Sequence, residues 1–205
     1  MKKAWLWLLL PAALLLLVLL HMCSLARLTP SEAGRQVPVL MYHAVGDDCW
    51  GEAHLFVKPA ELESQLQYLQ DHGYETIFLE DLAHVEQYKK PVILTFDDGY
   101  DDNYTQLFPL LQKYNMKATI FAIGVSFGKD HYKDTDYAMT PHFGAAEAKE
   151  MTDSGLISIQ SHTYDMHQWP PYEDGSAAVR ENILPLAGEP EEAYVQALTE
   201  DFTKS

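Results

Sequence analysis

A chain of 205 residues, 47% hydrophobic and 21% charged, has ordinary globular composition and the length for one domain with a sizeable core rather than two. Its net charge of -16, from 30 acidic against 14 basic residues with no basic patch, argues against nucleic acid as a partner and suits a neutral or cationic ligand better than a polyanion. With only Cys23 and Cys49 present, the fold is expected to rest on its core and not on disulfides.

Lys2 and Lys3 precede an apolar stretch, Ala4 to Leu20, broken only by Pro11. A positive n-region followed by a hydrophobic core addresses the chain to export. Residues 1–23 are therefore read as an N-terminal membrane anchor or a signal peptide. About 20 apolar residues span the bilayer core, so this stretch is just long enough to stay as an anchor. Met22-Cys23-Ser24-Leu25-Ala26-Arg27 makes a poor small-residue cleavage site. The positive end would stay cytoplasmic, leaving the domain outside the membrane, either tethered or secreted. Residues 24–36, with Pro30, Ser31 and Gly34, read as a linker, and 37–205 as the domain.

Beyond Val37, strand-like apolar runs alternate with helical patterns. Val37–Tyr42 reads as a strand ending at His43. Pro59–Asp71 reads as a helix with Pro at its start and Gly73 past its end. Thr76–Leu79 is expected as a strand and Leu82–Tyr88 as a short helix. Strand Pro91–Phe96 leads to helix Asn103–Tyr114, strand Lys117–Ile123 to helix Ala145–Ser154, and strand Leu156–Gln160 follows. A helical pattern over Glu191–Lys204 closes the chain. This alternation predicts a parallel α/β sheet, open or rolled into a barrel, whose functional residues gather where strands end.

Two motifs stand at such ends. Thr95-Phe96-Asp97-Asp98-Gly99-Tyr100 closes the third strand, and Ser161-His162-Thr163-Tyr164-Asp165-Met166-His167 follows the fifth. Successive strand residues point to opposite faces, so both carboxylates can share a pocket only if the strand breaks there, which Gly99 permits. Alone, Asp-Asp-Gly is an ordinary turn and two histidines five apart are ordinary loop residues. Together, two histidines and a carboxylate form a ligand set for a divalent metal with a position left for water. Adjacent aspartates do not supply the separated carboxylate pair of a glycosidase. His43, also at a strand end, borders the same pocket.

Thr-Phe-Asp-Asp-Gly followed by His-Thr…His resembles the polysaccharide deacetylases of the NodB-homology type, carbohydrate esterase family 4. Pro38-Val39-Leu40-Met41-Tyr42-His43 and the five-residue histidine spacing look closest to the subgroup acting on poly-β-1,6-N-acetylglucosamine. The resemblance implies a distorted (β/α) barrel holding a divalent metal, zinc first. It implies Asp98, His162 and His167 as ligands and Asp97 as general base, with His43 and Tyr100 contacting substrate. Each ligand histidine needs an acceptor to fix its tautomer, and Asp165 is the candidate nearest in sequence. The implied reaction removes N-acetyl groups from an N-acetylglucosamine polysaccharide, giving acetate and free amine. The family's later motifs are an Arg-containing element, a Pro-Tyr-type segment donating an oxyanion-hole amide, and a late histidine acting as general acid. No match to that pattern is read between Gln168 and Ser205. The expectation is a domain cut short after its fifth strand, either an active deacetylase completed elsewhere or a catalytically impaired glycan-binding remnant.

Overall fold

Strands covered on both faces need no polar alternation, and Pro91–Asp98 shows this most fully, with Val92, Ile93, Leu94 and Phe96 all buried. A computed structural model describes residues 36–48, 52–169 and 179–205. The expected signal or anchor segment and all of the linker but Gln36 lie outside the described residues.

In chain order the strands are β1 (Val39–Tyr42), β2 (Ala44–Val45), β3 (Phe56–Val57), β4 (Glu75–Thr76), β5 (Pro91–Asp98), β6 (Ala118–Ala122) and β7 (Ile157–Ser161). The helices are α1 (Pro59–Asp71), α2 (Phe108–Tyr114), α3 (Ala145–Asp153) and α4 (Glu191–Lys204). The main sheet runs β1-β5-β6-β7, with β4 beside the start of β5, and all its pairs are parallel. β2 and β3 form a separate parallel pair. The parallel α/β layout is present, and among the described residues no ladder joins β7 to β1 to close the sheet into a barrel.

α1 buries Leu62, Leu66 and Leu69, one stripe of an amphipathic helix. These meet Leu94, Phe96, Leu107, Leu111, Ile120 and Met151 in a single core. α3 starts where Glu147 Oε2 accepts the Gly144 amide at 3.0 Å, satisfying one free donor of the first turn. Among the described residues no helix is long and apolar enough to cross a membrane.

Four local expectations change. Of the strand expected over Thr76–Leu79 only Thr76 is paired in β4, and the helix expected at Leu82–Tyr88 is a 3-10 stretch over Leu79–Gln87, kinked at His84. Asp81 Oδ2 accepts the Phe78 amide at 3.0 Å and turns the chain out of the strand. The helix expected from Asn103 opens as a π turn, Asn103–Leu107, before becoming α2. β5 also runs two residues further than expected, so both aspartates belong to the strand.

Candidate metal centre and catalytic pocket

Parallel register brings the two motifs together. Asp98 is paired with Ala122 on β6, and Ala122 in turn with Ser161 on β7. The His162 amide then donates to the Ala122 carbonyl at 2.9 Å, so the β7 end stays alongside β6 for one residue more. Asp98 and His162 thus flank one alanine across three neighbouring strands.

The break that turns Asp98 inward begins at Asp98 itself, with φ 75°, and continues through Gly99 at φ 81°. A left-handed aspartate is uncommon, and such strain concentrates at functional sites. Gly99 is required for space as well as rotation, since a Cβ there would stand 2.9 Å from the Ala122 Cβ. The expected strand break is therefore present, one residue earlier than glycine alone would place it.

Asp98 Oδ1 lies 3.6 Å from His162 Nε2 and 3.6 Å from His167 Nε2. One atom from each of the three residues lies within 4.8 Å of the others. These separations are too long for good hydrogen bonds. Ligands placed about 2.0–2.1 Å from a tetrahedral ion stand roughly 3.4 Å apart, close to what is seen. Asp98 Oδ1 is buried and has no hydrogen-bond partner, an arrangement that costs stability unless a cation completes it. The donor set fits a divalent metal. Exposure rises from 5% for the Asp98 side chain to 34% for His162 and 49% for His167, so the centre opens toward solvent on the histidine side.

The surrounding groups prepare each ligand. His167 Nδ1 lies 3.2 Å from the Glu181 carbonyl, which fixes its proton there and leaves Nε2 free as a lone-pair donor. At His167 the Glu181 carbonyl takes the place expected of Asp165, which pairs with Lys133 at 3.0 Å. Burial holds the His162 pKa below its ordinary 6.5, against the pull of Asp98 and Asp97, so the neutral, metal-binding form is favoured. Tyr100 is 8% exposed and its hydroxyl engages the Asp98 carboxylate, while its ring packs on His142 with centroids 4.9 Å apart. Tyr100 is thus largely buried and braces Asp98.

Asp97 lies beside the cluster. Its Oδ2 is 3.9 Å from His43 Nε2. Burial raises the Asp97 pKa, partly offset by His162 and His43, which makes it a stronger proton acceptor than a solvated carboxylate. The fully buried Asn103 donates to the His43 carbonyl at 3.0 Å and to Asp102 Oδ1 at 2.9 Å, anchoring the loop that carries His43. Arg180 is buried against Glu189 and takes no part in the cluster, and Pro171-Tyr172 lie outside the described residues. The structure brings Asp97, Asp98, His162, His167 and His43 together. Two features escaped the sequence reading: the Glu181 carbonyl, which acts through main chain and carries no side-chain signal, and Asn103, whose burial the sequence does not show.

Residues 84–193 match the family described as polysaccharide deacetylase. The chain belongs to the polysaccharide deacetylase family. YxkH of Bacillus subtilis, a polysaccharide deacetylase by name, is 41% identical over 140 residues, covering 66% of this chain and 45% of that protein. The poly-β-1,6-N-acetyl-D-glucosamine N-deacetylase of Escherichia coli K12 is 29% identical over 143 residues, covering 62% of this chain and 20% of that protein. The fold is shared with the solved de-N-acetylase of Aggregatibacter actinomycetemcomitans, with a TM-score of 0.68 at 24% identity over 82% of this chain and 72% of that one. This deacetylase-family chain thus spans less than half the length of the two curated relatives.

Proposed function

We propose that this chain is an exported, metal-dependent N-deacetylase of a surface polysaccharide built from N-acetylglucosamine, releasing acetate and leaving a free amine. The observation that carries the reading is the buried, unpartnered Asp98 Oδ1 facing two imidazole nitrogens, with Asp97 alongside. The substrate class is supported by the name of the Escherichia coli relative. Export is supported by Lys2, Lys3 and the apolar stretch after them, which would leave the domain outside the cell membrane, tethered or secreted.

Asp98, His162 and His167 would hold the metal, with zinc the first choice for this N/O donor set. When bound, such an ion polarises an acetyl carbonyl and lowers the pKa of a water. Asp97 receives the proton of the attacking water, and its partial burial keeps it basic enough to do so. His43 faces Asp97 and steadies the charge on that carboxylate. Tyr100 and the Glu181 carbonyl hold two of the ligands in orientation.

The test combines bound-metal analysis of wild type and Asp98→Ala with acetate release from N-acetylglucosamine oligomers. Metal in wild type only, together with acetate, supports the reading, and a wild type that binds no metal overturns it. A second reading is a catalytically impaired, membrane-tethered glycan-binding form. Metal bound without acetate release would select that form.

A further inference from the structure

Asp201 is an acid on the inward face of α4, 6% exposed, in register with Tyr194, Ala197 and Leu198 at helical spacing. A carboxylate there needs partners, and it finds them in the loop between the two ligand histidines. Oδ2 accepts the Tyr164 amide at 2.9 Å and Oδ1 accepts the Asp165 amide at 2.7 Å. The chain enters those two amides from Thr163, which has φ 69°. A β-branched residue in that conformation is strained by about 1–3 kcal/mol, and persists only where its surroundings hold it.

The opposite side of the same loop is held as well. The Gly124 amide donates to the Thr163 carbonyl at 3.0 Å and the Val125 amide to the Tyr164 carbonyl at 2.8 Å. Gly124 lies so close that a Cβ there would stand 2.7 Å from the Tyr164 ring. The loop is therefore clamped, carbonyls toward the β6 end and amides toward α4. Asp201 is the side chain that closes the clamp, with charge-assisted bonds at both oxygens. Lys204 over the Tyr164 ring, 5.5 Å from its centroid, adds a second tie from the same helix.

We propose that Asp201 is a positioning residue for the metal centre: its carboxylate sets the shape of the loop so that His162 and His167 both face Asp98. The two ligands stand five positions apart, too many for one helical face. Their convergence depends on the turn that Thr163 begins and Asp201 holds. The inference rests on the metal-centre reading above, and its test separates the two.

The metal-free 205-residue chain is titrated with Co²⁺, recording both affinity and d–d absorption, as wild type, Asp201→Ala, Asp201→Asn and the exposed-site control Glu192→Gln. Asp201→Ala is expected to bind Co²⁺ about 10- to 100-fold more weakly, the usual effect of losing support behind the ligands. Its d–d bands should also shift as the imidazoles lose their common focus. Asp201→Asn keeps one acceptor oxygen and should fall between the two, while Glu192→Gln matches wild type. Wild-type affinity and spectrum in Asp201→Ala overturn the proposal, as they do in Asp201→Asn should the alanine variant not fold. Asp98→Ala checks the centre independently. Binding in wild type and none in Asp98→Ala leaves the Asp201 result to stand alone, and no binding in wild type removes both.

Discussion

Asp97 and Asp98 are neighbours in sequence with different surroundings. The Asp98 side chain is 5% exposed and faces two imidazoles, whereas that of Asp97 is 15% exposed and faces His43. Asp98→Ala should therefore abolish metal binding, measured on the purified protein. Asp97→Asn should keep the metal and slow acetate release about 10²- to 10⁴-fold, the range for losing a general base. Because burial raises the Asp97 pKa above its ordinary 3.8, acetate release should fall as pH drops through a midpoint above that value. Asp97→Asn should lose that limb of the profile.

Asp102 carries a separate pH prediction. Burial pushes its pKa from 3.8 up to about 7, despite the bonds from the Val45 amide and Asn103. The folded chain then takes up a proton that the unfolded chain releases, so this carboxyl lowers stability progressively as pH rises from about 4 to about 7. Asp102→Asn retains an acceptor oxygen and removes the charge. Its Tm should exceed that of wild type at pH 8, with the gap closing as pH falls toward about 4, and equal Tm values at pH 8 would refute the assignment.

At the scale of elements, the site is made by three parallel strands ending level with one another. Register aligns Asp98, Ala122 and Ser161, and each strand hands its next residues to the same end of the sheet. The tightest point is Gly99, where β5 leaves the sheet against Ala122. Gly99→Ala combines a positive φ with a Cβ contact of 2.9 Å, so a loss of about 1–3 kcal/mol is expected by denaturant unfolding. The same change should weaken metal binding, since Asp98 is adjacent. Unchanged stability in Gly99→Ala would show that β5 and β6 can separate freely here.

At the scale of the whole molecule, a bound ion would cross-link β5 to the loop after β7. Binding to the folded chain alone stabilises it by mass action, by about 2.7 kcal/mol at one hundred times Kd. Zinc should raise the Tm of wild type, EDTA should reverse the rise, and Asp98→Ala should show neither effect by calorimetry. The net charge of -16 bears on partners at this scale as well. In the proposed reaction, removing acetyl groups would create ammonium groups on the polymer, and an acidic surface would attract them in a way that added salt weakens.

The motifs and the alternation were legible in the chain itself because they depend on local chemistry. Apolar runs without polar alternation mark buried strands, and Asp97-Asp98-Gly99 and His162…His167 stand at their ends. Side-chain type and spacing were enough to nominate a metal set, and the family resemblance added the base. The 3-10 stretch at Leu79–Gln87 was not legible, because the kink at His84 that interrupts it leaves no mark in the local helical pattern. Tertiary structure alone decided how the ligands meet. Ladder register across three strands, the left-handed turn at Asp98, the Glu181 carbonyl behind His167 and the Asp201 carboxylate beneath the histidine loop all join residues far apart in the chain. Residue identity determines which atoms can bind a metal, and packing between distant segments determines whether they face one point.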